Sequence, residues 1–142
     1  MSWDNRRGIS RVRRTLSNAE ASEGVQQGVT AVLDLTAEVS EALPFLHTTY
    51  HHLPILDLMA PTMGQLHDAV RFITQQAACG TVCVHCKIGY ARSAAAVGAY
   101  LLASGQATTV AHVVERLRQA RPSIIVRPEV WKALHIFIQN PT

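Results

Sequence analysis

Long apolar runs are absent from the sequence, and their absence limits the class of protein. No uninterrupted apolar stretch in the 142 residues approaches the roughly 20 residues that a membrane-spanning helix needs. The first residues contain no signal-like segment, so we expect a cytoplasmic protein or the soluble domain of a membrane-attached one. A hydrophobic content of 48% with 16% charged residues is ordinary for a soluble globular protein. The length suits one sizeable core.

Cysteine is scarce, and no residue pattern predicts a metal site. The three cysteines fall within eight positions: Cys79, Cys83 and Cys86. Such close neighbours on a strand pair awkwardly, so we expect a reducing compartment without a disulfide framework. The Cys83-x-x-Cys86 spacing lacks a second pair for zinc, and a redox role of Cys83 toward Cys86 would need local movement. Three histidines lie in or beside one expected strand: His47, His51 and His52. Successive side chains of a strand point to opposite faces, so we expect scattered strand histidines rather than metal ligands.

Aromatic residues make up only 6% of the chain and are not interleaved with basic ones, so we expect no nucleic-acid partner. The net charge of +3 is modest but uneven. The first 14 residues carry +4, because a single aspartate accompanies five arginines: Arg6, Arg7, Arg11, Arg13 and Arg14. This basic arm is either solvated or attracted to an anionic membrane surface, where each basic residue contributes about 1 kcal/mol.

Strands alternate with helices along the chain. Short apolar or β-branched runs predict strands at 29–35, 48–53 and 81–84. Helical spacing and capping residues predict helices at 18–27 and 93–103, and helices beginning near Thr62, near Thr108 or Thr109, and at Pro128. Residues 40–46 are expected to form a short helix or turn. The alternation predicts an α/β fold with a single central, mostly parallel sheet flanked by helices.

The most informative part of the sequence is the run His85-Cys86-Lys87-Ile88-Gly89-Tyr90-Ala91-Arg92-Ser93. It joins an expected strand to an alanine-rich expected helix, so backbone N–H groups converge at a helix N-terminus that carries partial positive charge. This geometry binds an oxyanion such as phosphate. It also lowers the pKa of a thiol, which would make Cys86 a nucleophilic thiolate. Arg92 adds a planar fork for two phosphate oxygens.

At these residues the chain resembles the protein tyrosine phosphatase superfamily, and HCKIGYARS is most similar to compact dual-specificity phosphatases. The stretches GVTAVLDLTAE and LPILDL are similar to bacterial domains of this type. The resemblance runs from Ser17 to Phe137 and implies one catalytic domain at 17–142, after an arm or first strand region at 1–16. It implies a phosphocysteine intermediate on Cys86. Ser93 would then stabilise the leaving sulfur, and His85 would fix the loop. A helix N-cap is the other interpretation of Ser93, and the two roles are compatible. The phosphate-binding loop (P-loop) would comprise Lys87, Ile88, Gly89, Tyr90, Ala91 and Arg92.

Phosphate transfer to a thiolate also needs a carboxylic acid to protonate the departing oxygen. The candidates are Asp34, Asp57 and Asp68. Asp34 falls within an expected strand and Asp68 one turn inside an expected helix, so both have structural explanations. Asp57 falls in a loop 29 residues before Cys86, similar to where dual-specificity phosphatases carry their acid. We therefore predict Asp57 as the general acid; the alternative is a residue that caps a turn.

We expect a monomeric, cysteine-dependent phosphatase that needs no cofactor and no metal. Its expected substrates are proteins carrying phosphotyrosine, phosphoserine or phosphothreonine. The alternatives are a phosphatase of phosphoinositides or phosphatidylglycerophosphate, and a non-enzymatic module that reads phosphate; such a module is expected to lack the nucleophile or the arginine. Residues 117–128 look like the corresponding segment of mitochondrial-type lipid phosphatases. Glu129 stands where eukaryotic members often have Asn, and Arg127 remains a candidate substrate contact.

Overall fold

The computed structural model describes most of the second half of the chain and several segments of the first. The described residues are 2–4, 9–11, 29–35, 49–55, 61–78, 80–85, 91–120, 124 and 126–140. The helix expected at 18–27 and the helix or turn expected at 40–46 lie outside them. No helix in the described part is long and apolar enough to cross a membrane.

One five-stranded sheet forms the centre of the described part of the chain. Its strands are β1 (Ser2–Asp4), β2 (Ile9–Arg11), β3 (Val29–Asp34), β4 (Thr49–His52) and β5 (Thr81–His85). They are ordered β2-β1-β5-β3-β4. β3 pairs in parallel with β4 and β5, while β1 is antiparallel to both β5 and β2. The α/β fold is therefore confirmed, with the parallel strands on one side of the sheet and an antiparallel pair on the other.

Four helices occur among the described residues: α1 (Met63–Ala77), α2 (Ala91–Ala103), α3 (Val110–Ala120) and α4 (Pro128–Gln139). Local signals set most of their ends. Thr62 caps α1, the side chain of Thr109 accepts from the His112 N–H before α3, and Pro128 occupies the first turn of α4. α2 ends just before Gly105, whose φ of 76° lies in the left-handed region that favours glycine.

α2 begins earlier than the sequence predicts. Its first residue is Ala91, whereas the prediction placed the start at Ser93. Ser93 is therefore the third residue of the helix, and its interpretation as an N-cap is wrong. Alanine and arginine are both strong helix formers, so the helix extends toward the strand through Arg92 and Ala91. This places Arg92 in the first turn, at the positive end of the helix.

α2 is the central helix and is buried along most of its length. It contacts α1, α3, α4 and β5, and every residue from 92 to 101 is buried. Its alanine-rich, apolar composition suits this burial. Gly98 makes the close packing possible, because a Cβ atom built there would lie 3.0 Å from Cγ1 of Val113 and 3.1 Å from Cδ1 of Leu134. α3 and α4 thus approach α2 where it has no side chain.

Gly98→Val is expected to lower the free energy of unfolding by about 1–3 kcal/mol, because the added side chain overpacks the junction of α2, α3 and α4. The measurement is urea unfolding followed by circular dichroism. Gly64→Val is the matched control, because a Cβ at Gly64 would meet only Oγ1 of Thr62, at 3.9 Å. Equal stability of the two variants would contradict this account of Gly98.

Candidate active site

Three polar or charged side chains are buried among the described residues: Asp34, Arg92 and Ser93, exposed by 1%, 3% and 0%. Asp34 is the last residue of β3. Arg92 and Ser93 lie in the first turn of α2, and five residues separate the start of α2 from the end of β5. Ligands of open α/β sheets bind beyond the carboxyl ends of the strands. The buried polar groups therefore place the candidate site at the carboxyl ends of β3 and β5.

Arg92 joins this site to the segment that follows β4. Its Nη1 atom donates a hydrogen bond to the Ile55 carbonyl at 3.0 Å, across 37 positions of sequence. A buried guanidinium needs such partners, because an unpaired buried charge is costly. The contact brings Arg92, predicted to bind phosphate, against the chain two residues before Asp57, predicted to be the acid.

Backbone hydrogen bonds guide the chain to that contact. The Leu53 N–H donates to the Asp34 carbonyl at 2.8 Å, and the Ile55 N–H donates to the Leu35 carbonyl at 3.2 Å. Residues 53–55 thus run beside the carboxyl end of β3. Residues 53–55, which follow β4, are therefore held against the carboxyl end of β3.

Asp34, one of the alternative acids, is part of the buried interior. The Tyr50 hydroxyl donates to its Oδ2 atom at 2.6 Å. The Cα atoms of Asp34 and His85 are partners in the register of β3 and β5, so Asp34 lies beside the strand that leads to Cys86. A buried carboxylate held by a tyrosine is well explained as a structural support of the sheet end.

Tyr50→Phe is expected to lower stability by about 1.5–3 kcal/mol, because it removes a donor from a buried carboxylate. The measurement is the midpoint and slope of urea unfolding. Tyr90→Phe is the comparison variant, because it removes the same hydroxyl group from a residue of the predicted phosphate loop. An unchanged unfolding midpoint in Tyr50→Phe would show that Asp34 does not depend on the tyrosine.

Asp68, the other alternative acid, is engaged at the surface of α1. Its Oδ2 atom lies 3.1 Å from Nε2 of His51, and its Oδ1 atom lies 3.7 Å from Nη1 of Arg71. The Asp68 side chain is 39% exposed. His51 also stacks on Phe72, with ring centroids 5.2 Å apart. Asp68 therefore helps to attach α1 to β4.

Several residues predicted for the site lie outside the described part of the chain: Asp57, Cys86, Lys87, Ile88, Gly89 and Tyr90. For His85 and Ala91 the structure describes the backbone. Described residues nevertheless stand on both sides of the two segments that contain Asp57 and residues 86–90. Residues 56–60 lie between Ile55 and Pro61, and residues 86–90 lie between the end of β5 and the start of α2. Arg92 contacts the chain just before the first segment and directly follows Ala91 after the second.

The catalytic domain of dual specificity phosphatases matches residues 15–140 of this sequence, which is most of the chain. The chain belongs to this family. This membership agrees with the resemblance drawn from the run at 85–93. The matched residues include β3, β4, β5, the four helices and the candidate site, while β1 and β2 precede them.

The relatives of this chain differ in the substrates that their names give. The phosphatidylglycerophosphate phosphatase PTPMT2 of Arabidopsis thaliana is 35% identical over 123 residues, covering 80% of this chain and 54% of the relative. The protein-tyrosine-phosphatase IBR5 of the same plant is 33% identical over 125 residues, covering 87% and 46%. A mouse phosphatidylglycerophosphatase and protein-tyrosine phosphatase 1 is 38% identical over 79 residues, covering 53% and 40%. The chain thus spans about half the length of these relatives.

Solved structures of phosphatases share the fold. Tk-PTP in its active form superposes with a TM-score of 0.80 at 25% identity, covering 92% of each chain. PTPMT1 superposes with a TM-score of 0.78 at 23% identity, covering 92% of this chain and 90% of its own. The second likeness concerns the fold alone.

Three features predicted outside the phosphate loop fall at least partly in the described residues: the histidine cluster, Cys83 and Arg127. The described part contains no group of three or more His, Cys, Asp or Glu side chains suited to a metal ion. His51 contacts Asp68, and His52 stacks on Tyr50 with ring centroids 6.3 Å apart; His47 lies outside the described residues. Cys83 is a free thiol buried in β5.

Arg127, the candidate substrate contact, precedes α4 and pairs with Glu129. The Nε atom of Arg127 lies 3.5 Å from Oε2 of Glu129.

Proposed function

We propose that this phosphatase hydrolyses phosphate monoesters through a cysteinyl-phosphate intermediate. The observation that carries the proposal is the position of Arg92, a buried guanidinium in the first turn of α2. A guanidinium has five N–H donors in one plane, which suits the equatorial oxygens of a transferring phosphoryl group. The N-terminus of α2 adds partial positive charge from its backbone N–H groups.

In the first step, the Cys86 thiolate attacks phosphorus, the S–P bond forms and the bond to the leaving oxygen breaks. Asp57 gives its proton to that oxygen. In the second step, water gives a proton to the Asp57 carboxylate and attacks phosphorus, the S–P bond breaks and inorganic phosphate leaves. The Ser93 hydroxyl stabilises the departing thiolate. Ser93 is completely buried in the first turn of α2, which favours contact of its hydroxyl with the loop rather than with solvent.

The assignment of Asp57 is supported by what holds the other two aspartates. Asp34 receives a hydrogen bond from Tyr50, and Asp68 pairs with His51 and Arg71. Asp57 follows Ile55 by two residues, and the Ile55 carbonyl lies against the Arg92 guanidinium. Consecutive Cα atoms are only about 3.8 Å apart, so this short connection favours an acid near the bound phosphate.

The first candidate substrates are phosphorylated proteins, as the resemblance implies and as the name of the relative IBR5 supports. Lipid phosphates are the second candidates. Their support is the 35% identity with a phosphatidylglycerophosphate phosphatase over 80% of this chain. Both classes present a phosphate monoester to the same loop, so the chemistry is shared and only the recognition around the loop differs.

A side-by-side assay tests the proposal and separates the substrates. Phosphotyrosyl and phosphothreonyl peptides, a phosphoinositide and phosphatidylglycerophosphate are supplied at equal concentration, the lipids in mixed micelles. Release of phosphate is measured, with and without vanadate and EDTA. The proposal expects hydrolysis that vanadate inhibits competitively and EDTA does not change. Binding of these compounds without any hydrolysis would instead support the phosphate-reading module.

A further inference from the structure

The side chain of Gln65 bridges the two ends of the segment that contains Asp57. Gln65 is the third residue of α1 and is half-buried. Its Nε2 atom donates to the Pro54 carbonyl at 3.3 Å, and its Oε1 atom accepts from the Thr62 N–H at 2.9 Å. A single amide therefore connects a backbone position before the segment to one after it. Asp57 lies between these two positions in the sequence.

Both ends of the segment are also held independently of the bridge. At the first end, Ile55 is buried and its carbonyl accepts from Arg92. At the second end, Pro61 is buried and the Thr62 hydroxyl accepts from the Gln65 N–H at 3.1 Å. These contacts attach each end to a different part of the fold. The Gln65 amide is the contact that relates one end to the other among the described residues.

We propose that Gln65 is a positioning residue for the general acid. By holding Pro54 and Thr62 at a fixed separation, it limits the conformations of the intervening chain and keeps the Asp57 carboxyl within reach of the leaving oxygen. The inference rests on the proposed function, in which Asp57 protonates that oxygen. Small displacements of a proton donor lower the rate strongly, because proton transfer needs a short and aligned contact.

The two halves of the amide can be separated chemically. Gln65→Glu keeps an oxygen that accepts from the Thr62 N–H, because glutamate also occurs at this position of a capping box. It loses the donor to the Pro54 carbonyl. Gln65→Met keeps the length of the side chain, loses both contacts and adds no charge. Gln75→Glu, at an exposed position of α1, is the control for added charge.

The test compares an alkyl phosphate, whose leaving group needs protonation, with p-nitrophenyl phosphate, whose leaving group departs nearly unaided. Gln65→Glu and Gln65→Met are each expected to lower kcat for the alkyl phosphate about fivefold, the effect of losing about 1 kcal/mol from one hydrogen bond. The kcat for p-nitrophenyl phosphate and both KM values are expected to stay within about twofold. The melting temperature should fall in Gln65→Met and stay constant in Gln65→Glu.

Asp57→Asn separates failure of this inference from failure of the proposed function. If Asp57→Asn loses activity selectively on the alkyl phosphate and the Gln65 variants do not, Gln65 is only a helix cap and the inference is overturned. Equal losses of the Gln65 variants on both substrates overturn it as well. If Asp57→Asn itself shows no selectivity, the acid is misassigned. Adding Gln65→Glu to Asp57→Asn should cause no further loss, because both changes act through one group.

Discussion

Cys86→Ser is expected to abolish turnover while phosphate binding and the fold are retained. Serine has nearly the size of cysteine but forms no accessible anion near neutral pH. The substitution therefore removes the nucleophile and is expected to leave the loop intact. Removing a nucleophile from an enzyme that depends on it lowers kcat by about 10⁴-fold or more. The measurement is hydrolysis of p-nitrophenyl phosphate, together with circular dichroism and phosphate binding by calorimetry.

Cys83→Ser is the matched control for this prediction. It makes the same substitution three residues earlier, at a free thiol buried in β5, and it is expected to retain activity. Acid quenching of the wild-type reaction should trap a phosphoryl group on the peptide that contains Cys86. Turnover by Cys86→Ser comparable to that of the wild type, or a trapped phosphoryl group elsewhere, would rule out the covalent mechanism through Cys86.

Asp57→Asn is expected to lower kcat for alkyl phosphates by about 10²–10⁴-fold, the usual contribution of a general acid. An alkoxide departs poorly unless it is protonated, whereas an activated aryl oxide departs nearly unaided. The loss on p-nitrophenyl phosphate should therefore be much smaller. The alkaline limb of the pH profile should flatten in the variant, because that limb would report loss of the acid's proton. Steady-state kinetics over a range of pH with both substrates measure these effects.

Asp68→Asn is the control for Asp57→Asn. Asp68 is half-buried and pairs with His51 at the surface of α1, so its amide variant is expected to keep the rate on both substrates. Equal losses of Asp57→Asn on good and poor leaving groups, with an unchanged alkaline limb, would remove Asp57 from the role of acid. Asp34 would then be the next carboxyl to test.

The ends of several elements could be predicted because nearby residues determine them. Thr62 and Thr109 accept hydrogen bonds from the first turns of α1 and α3, and Pro128 opens α4. The start of α2 was predicted two residues late. Ser93 has the side chain of an N-cap, but the helix extends past it to Ala91. A cap residue marks a helix start only where the backbone actually leaves the helix, and the sequence does not show that.

The candidate site could be predicted as a set of residues but not as a set of contacts. The spacing of Cys86 and Arg92 points to phosphate chemistry, and the family match supports that chemistry. The assignments of Cys86 and Asp57 remain predictions. The bridge made by Gln65 was missed, although Thr62 and Gln65 show the spacing of a capping box. Its second contact, with Pro54, has no signal in the sequence because it joins residues 11 positions apart.

The sequence by itself determined the order of the three parallel strands and the four described helices, the α/β fold class and the run at 85–93 that predicts phosphate binding. These depend on periodicity, capping and spacing, which are local properties of the chain. The separate strands β1 and β2 were not predicted. Only the tertiary structure decided that Arg92 is buried against the Ile55 carbonyl and that Tyr50 holds Asp34. Each of these contacts joins residues at least 16 positions apart. They form because the parallel register of β3, β4 and β5 brings three strand ends to one edge of the sheet.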